Sequence, residues 1–476
     1  MRIVKEIVLC AALCFAASCS VYREYERPQF EGVELLDSAD RAAVATDPVT
    51  GEAVLPDTSR LSDISWRDFF TDSLLCSYIS LGLENNSDVH IAAARVEEAR
   101  AAMNMALWAF VPSFDLAPSY SFTNSEERYG GSVNSWSLPL KASWEVDLRG
   151  DLVNGHRRAR ASLEQSEVYL RSVRTGLVCA IADMYYTLLK LDAQLEVSRS
   201  TAESWQKNVL IMRNMKDAGM ANEASVSQSE ANACSIEASL FDLEHQIRSL
   251  ELQFQVLLGT RLGEVARGRL DEAPLECITA SSVPALMLSR RPDVQMAEYD
   301  LRKAWYDVAA AHSAFYPSIS INAEFGWEKA VTSPSGWLIS LGAGALQPLL
   351  RHRQIAGSLT IAEQKQLEAA ETFRKTILSA AGEVRTALSL CLSAEGKTEV
   401  RVRQISALES AVYSTEQLMR HGESTYLEVL TAQQSLLSAR LLQISDKYES
   451  IQGTIALYRA LGGGELHYNQ WHTREP

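Results

Sequence analysis

The sequence predicts a mainly α-helical protein that carries a pair of β-hairpins and is built from a duplicated unit. The duplication is visible directly, because residues 88–113 and 293–318 match without a gap and end in AFVPS and AFYPS. Side chains after each Pro-Ser pair alternate between apolar and polar, which is the period of a β-strand. Two long intervals, 140–273 and 349–475, contain no proline although the chain has 13. Such intervals favour uninterrupted helices, since proline costs about 3 kcal/mol inside a helix.

Length and composition describe a folded protein rather than a disordered one. The 476 residues are 47% hydrophobic and 22% charged, which leaves room for one large domain or a duplicated medium-sized one. The formal net charge is −15 and no extended basic stripe occurs, so nucleic acid is not an expected partner.

The N-terminal residues have the features of an export signal. A charged start precedes an apolar run, 7–17, that is too short to cross a bilayer. The small residues before Cys19 resemble a bacterial lipobox, and the serine after this cysteine points to the outer membrane. The resemblance implies a signal peptide over 1–18 and a lipidated, extended arm over 19–62. An ordinary signal peptide cleaved near Ser18 is the alternative.

Residues 63–280 form the first predicted repeat. Apolar residues recur every three or four positions in its helices, and a polar, glycine-containing loop separates its strands. The expected elements are a helix over 86–110, a strand hairpin over 113–148, a long helix over about 155–217 and a return helix over 231–258.

Residues 281–476 form the second predicted repeat and follow the same plan. The strands are separated by a Ser-Pro-Ser-Gly sequence, 333–336, which predicts a turn. The expected elements are a helix over 293–315, strands over 318–328 and 337–347 within a hairpin over 318–348, a long helix over about 355–420 and a return helix over 425–461.

Each predicted hairpin has one apolar and one polar face, which favours strands that span a membrane. In lipid every backbone N–H and C=O must be hydrogen-bonded within the protein, so only helices and closed barrels cross a bilayer. Four strands cannot close a barrel, because the smallest outer-membrane barrels have about eight, whereas three copies of the chain would supply about twelve. A soluble α+β protein with two amphipathic hairpins is the alternative, but it leaves both apolar faces uncovered.

Four further segments complete the pattern of a known family. They are AFVPS with its echo AFYPS, Trp144-Glu-Val-Asp-Leu, Arg290-Arg-Pro-Asp-Val and Gly422-Glu-Ser-Thr-Tyr-Leu-Glu-Val-Leu-Thr-Ala-Gln. In their order and duplication they resemble the TolC/OprM-type outer-membrane factors, the exit ducts of tripartite efflux pumps, and especially the NodT-like lipoprotein branch. The resemblance covers residues 66–464. It implies a homotrimer with a twelve-stranded β-barrel in the outer membrane, continued by a long periplasmic helical barrel with a closed end.

The same resemblance implies functional positions at the two helix–turn–helix tips. Leu427 matches a leucine that narrows the periplasmic aperture, Thr431 and Ser225 stand where the family often has acidic residues, and Glu428 is acidic but one residue off the facing turn. The tips that would dock a periplasmic adaptor contain Lys216, Gly219, Arg420 and Gly422.

Polar side chains on the predicted strands would line the lumen of the barrel. They are Asp115, Lys141, Glu145, Asp147, Asn322 and Glu324. Arginines follow both hairpins near helix N-termini, where the helix dipole disfavours cations, so phospholipid headgroups or carboxylates are expected to compensate them. These arginines are Arg157, Arg158, Arg160, Arg351 and Arg353.

The sequence carries no recognised catalytic or metal-binding motif. GxSxG, HExxH, P-loop and CxxC patterns are absent and the eight histidines are far apart, so neither enzymatic activity nor a cofactor is expected. The resemblance implies a passive outer-membrane exit duct for small molecules, gated at its tips and working with an adaptor and an inner-membrane pump. An exit duct for type I protein secretion and a non-transporting envelope structural protein are the alternatives.

Overall fold

The computed structural model describes residues 24–28, 65–125, 131–261, 263–272, 290–330, 333–347, 350–421 and 423–463. The predicted signal peptide, the predicted lipidation site Cys19 and most of the predicted arm lie outside these residues, as does Gly422.

The described residues are mainly helical, with two strand hairpins, as the sequence predicts. The helices are α1 (Trp66–Phe69), α2 (Ser73–Asn85), α3 (Ser87–Trp108), α4 (Asp151–Asp217), α5 (Glu223–Leu258), α6 (Pro292–Ser313), α7 (His352–Arg420) and α8 (Tyr426–Ala460). The strands are β1 (Ser113–Leu116), β2 (Ser119–Ser125), β3 (Gly131–Val146), β4 (Ser318–Ala330) and β5 (Ser333–Leu346).

The two longest helices occupy the proline-free intervals. α4 has 67 residues and α7 has 69, so each is about 100 Å long at about 1.5 Å per residue. By length and composition, α7 contains an 18-residue window apolar enough to cross a membrane, with a mean hydropathy of 1.2, and 39% of that window is buried. The core helix of a water-soluble bundle meets the same criterion, so this window alone does not place α7 in lipid.

Two details of the hairpins differ from the prediction. The first strand is interrupted between β1 and β2, at Ala117 and Pro118. The predicted turn over 333–336 is wrong, because these residues begin β5, and Ser333 pairs with Ala330 of β4. Pro334 is compatible with this strand because β5 lies at an edge of the sheet, where a missing N–H donor is tolerated.

The chain divides into two compact units that cut across the two repeats. Unit 1 comprises 1–30, 93–169 and 295–376, and contains all five described strands. Unit 2 comprises 31–92, 170–294 and 377–476, and contains α1, α2 and α5 together with both described helix tips. Each predicted repeat therefore contributes to both units.

The strands of unit 1 form one antiparallel sheet in the order β1-β3-β4-β5, and β2 also pairs with β3. Because β1 and β2 lie along the same partner, the sheet has four strand positions. The central pair, β3 with β4, joins the hairpin of the first repeat to that of the second. Neither edge, β1/β2 or β5, has a further strand partner among the described residues.

A proline in the centre of the sheet is accommodated by a glycine on the neighbouring strand. Pro139 of β3 pairs in register with Gly326 of β4. A Cβ atom on Gly326 would lie 2.5 Å from Cα of Pro139 and 2.6 Å from the carbonyl oxygen of Leu138. Both obstacles are backbone atoms, so any larger residue would force the two repeats apart at this level.

We therefore expect Gly326→Ala to destabilise the pairing of the hairpins. Overpacking of this kind costs about 1–3 kcal/mol, and it should lower the midpoint temperature of heat unfolding of the detergent-extracted protein. Gly342→Ala in β5 is the matched control, because nothing lies within 4 Å of its added Cβ. Equal midpoints for the two variants would contradict the close approach.

Two adjacent buried tyrosines of α4 differ in their hydrogen bonding in unit 2. The hydroxyl of Tyr185 donates to Oδ2 of Asp72 at 2.8 Å and accepts from the N–H of Gly268 at 3.3 Å. The hydroxyl of Tyr186 is buried without a hydrogen-bond partner among the described residues. Burial raises the pKa of both hydroxyls above the ordinary value, so both stay neutral. Asp72 also caps α2, accepting from the N–H of Leu74 at 2.8 Å.

The two tyrosines should respond differently to the same substitution. Tyr185→Phe removes a bonded hydroxyl and should lower the free energy of unfolding by about 1–3 kcal/mol, whereas Tyr186→Phe removes an unpaired buried hydroxyl and should be neutral or stabilising. Denaturant unfolding of both variants, followed by tryptophan fluorescence, measures the difference. An equal loss in the two variants would show that Tyr186 has a partner.

Candidate channel wall and helix tips

Most of the polar side chains predicted to line a lumen lie in register across the sheet. Asp115 of β1 pairs with Lys141 of β3, and Lys141 pairs with Glu324 of β4. Two residues along, Ser143 pairs with Asn322 and donates its hydroxyl to Oδ1 of Asn322 at 2.9 Å. Directly opposite residues of paired strands project from the same face, so these five residues share one face of the sheet.

The last two predicted wall residues have different environments. Glu145 lies on the same face near the end of β3 and accepts from Nη2 of Arg149 at 3.3 Å. Asp147 lies beyond Val146, the last residue of the strand, and its Oδ2 accepts from the N–H of Val153 at 2.9 Å. The expectation that Asp147 continues the polar face of the strand is therefore wrong. Its carboxylate instead satisfies one of the unpaired N–H groups in the first turn of α4.

The opposite face of the sheet is a band of large apolar side chains that are exposed in the single chain. Trp337 is 72% exposed and Leu341 is 79% exposed. The other exposed members are Phe114, Leu116, Leu138, Leu140, Trp144, Phe325, Trp327 and Ile339. A contiguous apolar surface of this extent requires a cover, and hydrocarbon covers such a band on outer-membrane strands.

In unit 1, each repeat has an equivalent corner at which a helix leads into a strand. The carbonyl oxygen of Phe110 accepts from the indole N–H of Trp144 at 3.1 Å, and that of Phe315 accepts from the amide of Gln347 at 3.0 Å. The phenyl rings of these two phenylalanines also contact a histidine of the following long helix edge-on. The pairs are Phe110–His156, with ring centroids 6.4 Å apart, and Phe315–His352, with centroids 5.3 Å apart. The AFVPS and AFYPS echo marks these corners in the sequence, but it does not reveal their partners.

The first tip connects α4 to α5. Gly219 has a φ of 73°, which a glycine adopts without the steric cost of a side chain. An ion pair between Lys216 and Glu223 crosses the turn. Asn222 caps α5, with Oδ1 accepting from the N–H of Ser225 at 2.9 Å and from its hydroxyl at 3.0 Å. The hydroxyl of Ser225 is therefore engaged in the cap of its own helix.

The second tip connects α7, which ends at Arg420, to α8. Leu427 is 65% exposed, whereas Leu430 in the same turn is only 6% exposed, so Leu427 does not belong to the core of its own chain. Oε2 of Glu428 accepts from the hydroxyl of Ser424 at 2.5 Å. The hydroxyl of Thr431 donates to the carbonyl of Leu427 at 2.8 Å.

A series of side-chain hydrogen bonds that sequence reasoning missed links the two helix pairs that form the tips, α4–α5 and α7–α8. Nδ2 of Asn208 in α4 donates to Oε1 of Gln433 in α8 at 3.1 Å. Nε2 of Gln433 donates to Oε1 of Glu416 in α7 at 2.9 Å. An apolar cluster nearby contains Ala202, Trp205, Ala233 and Ile236, with Leu437 packed against it. Amide side chains on a heptad-like seam are the sequence signal that could have identified this link.

Within the described part of the chain, no group of three or more His, Cys, Asp or Glu side chains is placed to hold a metal ion. The candidate functional features are the two-faced sheet of unit 1 and, separately, the helix tips of unit 2.

Several relatives match most of the chain at 25–27% identity. The cation efflux system protein CusC of Escherichia coli (strain K12) is 25% identical over 474 residues, covering 97% of this chain and 99% of the relative. The pyoverdine export outer membrane protein OpmQ of Pseudomonas aeruginosa is 27% identical over 424 residues, covering 85% and 89%. The probable outer membrane lipoprotein SilC of Salmonella typhimurium is 25% identical over 429 residues, covering 87% and 90%.

Solved structures share the fold of the chain. A CusC structure matches with a TM-score of 0.79 at 24% identity, covering 93% of this chain and 99% of CusC. The outer-membrane channel OprN matches with a TM-score of 0.80 at 23% identity, covering 93% and 98%. The model of the family described as "Outer membrane efflux protein" matches residues 78–260 and 283–463. The chain belongs to this family, and it is an outer-membrane channel component of an efflux system.

Proposed function

We propose that the chain works as a homotrimer that forms a passive exit duct for small molecules through the outer membrane. The molecules are delivered by an inner-membrane pump and a periplasmic adaptor. The observation that carries this proposal is the sheet of unit 1, which has four strand positions, one polar and one apolar face, and two edges without a strand partner among the described residues. A sheet of this kind is a segment of a barrel wall.

The proposed number of chains in the assembly follows from the number of strands that a barrel needs to enclose an open lumen. An edge strand exposed to lipid is excluded, because its backbone N–H and C=O groups would be unsatisfied. Pairing β5 of one copy with β1/β2 of the next closes the sheet as a ring. Two copies would give about eight strands, whose interior is filled by side chains, whereas three give about twelve and leave room for solutes.

Exposed apolar side chains on the helices of unit 2 support contacts between copies. Phe241, Leu252 and Val256 of α5 are 68%, 64% and 81% exposed in the single chain. Leu378 and Leu392 of α7 are 51% and 59% exposed. Apolar side chains in helices that face water are expected to be covered by another protein surface.

The polar face of the sheet supports an aqueous lumen with an acidic balance. Among the described side chains of this face, the carboxylates of Asp115 and Glu324 outnumber the ammonium of Lys141, and the charge of Glu145 is compensated by Arg149. Three copies repeat this ring of charges, and a narrow passage between low-dielectric walls focuses its field. The lumen should therefore favour cations over anions, most clearly at low ionic strength.

The N-terminal arm is proposed to run from a lipid anchor at Cys19 to the helices of unit 1. The described residues 24–28 already contact this unit. The ring of Tyr25 meets that of Trp305 edge-on with centroids 6.2 Å apart, and Nη2 of Arg27 pairs with Oε2 of Glu298 at 3.0 Å.

The two tips are proposed to dock the adaptor and to open by rearrangement of their helices. Lys216, Gly219 and Arg420 lie at or beside these turns, and Met220 in the first turn is 65% exposed. Gly422, which lies outside the described residues, is proposed to belong to the same docking tip. Relatives are named for cation efflux, pyoverdine export and antibiotic efflux, which are chemically unrelated cargoes. We infer that the cargo is selected by the pump rather than by the duct.

The assembly is tested by placing a charge on the exposed apolar surface of α5. Val256→Glu should prevent formation of the heat-modifiable trimer in detergent-extracted outer membrane, because a buried, unpaired carboxylate costs more than the contact contributes. Gln246→Glu is the matched control, since it adds the same charge at an exposed polar position of the same helix. A native trimer of the Val256 variant would exclude this surface from the interface, and a soluble periplasmic monomer of the unmodified protein would refute the proposed function.

The aperture is tested at Leu427. Leu427→Ala should raise the single-channel conductance in a planar bilayer, because the side chain is exposed in its own chain and its removal widens the passage without opening a core. Leu442→Ala is the control, since this leucine of the same helix is 47% exposed and lies away from the tip. Unchanged conductance in the Leu427 variant would contradict its assignment to the aperture.

A further inference from the structure

Two arginines beside the second hairpin have no charge partner among the described residues. Arg351 and Arg353 stand at the start of α7, a few residues after β5 ends. Both are exposed, and neither forms an ion pair or a side-chain hydrogen bond with a described residue. The adjacent Leu350 is fully exposed, at 101% of its reference surface. The helix dipole adds to the cost of this arrangement, because it disfavours cations in the first turn.

Arginines near the start of the equivalent long helix of the first repeat, α4, are compensated within the protein. Nε of Arg158 pairs with Oδ1 of Asp307 at 2.7 Å, and Nε of Arg160 pairs with Oε1 of Glu164 at 2.9 Å. Other arginines near the start of α4 follow the same rule, in the pairs Arg149–Asp151 (3.0 Å) and Arg157–Glu24 (3.3 Å). Carboxylates of the chain therefore compensate the positive charge near the start of α4, whereas no described residue compensates it at the start of α7.

The position of the unpaired arginines indicates what could compensate them. The apolar face of β5 carries Trp337, Ile339 and Leu341, all more than 70% exposed, and the strand ends at Leu346 on the edge of the sheet where the long helices begin. In the proposed membrane-spanning position of the hairpins, hydrocarbon would give way to headgroups at this edge. An exposed leucine followed by two arginines fits such a boundary, because the leucine can enter the acyl layer while the arginines extend to the headgroups.

We propose that Arg351 and Arg353 bind the phosphate of a phospholipid in the periplasmic leaflet of the outer membrane. A guanidinium group donates two parallel N–H bonds to phosphate oxygens, which makes arginine better suited than lysine to this ligand. The proposal rests on the proposed membrane-spanning position of the hairpins. The competing occupant is a carboxylate of a neighbouring copy in the trimer, which would make the same arginines part of a subunit contact.

The test titrates detergent-extracted trimers with dimyristoyl phosphatidylglycerol and, separately, with dimyristoyl phosphatidylcholine, and counts bound lipid by native mass spectrometry. The unmodified protein should bind phosphatidylglycerol more tightly, and added salt should weaken that binding. Arg351→Gln/Arg353→Gln should weaken it about 30-fold, because each charge near a lipid surface contributes a factor of about five. Arg158→Gln/Arg160→Gln is the matched control, since it removes the same charge from arginines already paired with carboxylates, and its lipid affinity should be unchanged.

The remaining outcomes overturn the proposal. Equal affinity of the Arg351/Arg353 variant and the unmodified protein would exclude the site, and so would equal weakening in the control pair. Loss of the trimer in the Arg351/Arg353 variant without added lipid would assign these arginines to the neighbouring copy. Trimer content and single-channel conductance of the unmodified protein are measured in the same preparation. A protein that forms no trimer and no conducting channel would count against the proposed function. A conducting trimer that binds both lipids equally would count against this site alone.

Discussion

The structure depends on one constraint. The sheet has one apolar face suited to lipid, so the backbone N–H and C=O groups along its two edges must find hydrogen-bond partners within protein. Inside one chain, the pairing of β3 with β4 already satisfies the central contact between the two repeats. The edges β1/β2 and β5 have no partner among the described strands. In lipid these backbone groups find neither water nor side chains. The proposed closure by further copies of the chain would satisfy this constraint and would enclose the polar face as a lumen.

Duplication gives the chain two equivalent corners and leaves their surroundings free to differ. The carbonyl oxygens of Phe110 and Phe315 each accept a hydrogen bond from a side chain at or just beyond the end of the returning strand, and each ring contacts a histidine of the next long helix. The donors are an indole in one case and an amide in the other. The geometry of the corner is thus retained although its chemistry is not. The arginines beside the hairpins illustrate the same freedom, because among the described residues those of the first repeat have carboxylate partners and Arg351 and Arg353 do not.

The helix tips combine rigid caps with exposed side chains. Asn222 and Gly219 determine where the first turn reverses, and the Asn208–Gln433–Glu416 chain holds the two hairpins together above the turns. Beyond these contacts, side chains such as Leu427 face away from the core of the chain. This combination is what the proposed gate requires, because the exposed side chains could change neighbours while the caps keep each helix folded.

The sequence by itself determined the elements and their order. Proline-free intervals, a period of two after each Pro-Ser pair and the internal echo are local patterns, and local patterns suffice to predict long helices, strands and a repeat. Only the tertiary structure decided which strands pair and what each charge contacts. The opposition of Pro139 and Gly326, the use of Asp147 as a helix cap and the pairing of Arg158 with Asp307 all join residues that are distant in sequence or belong to different elements. Such contacts depend on register and on packing in three dimensions, which residue spacing along one chain does not specify.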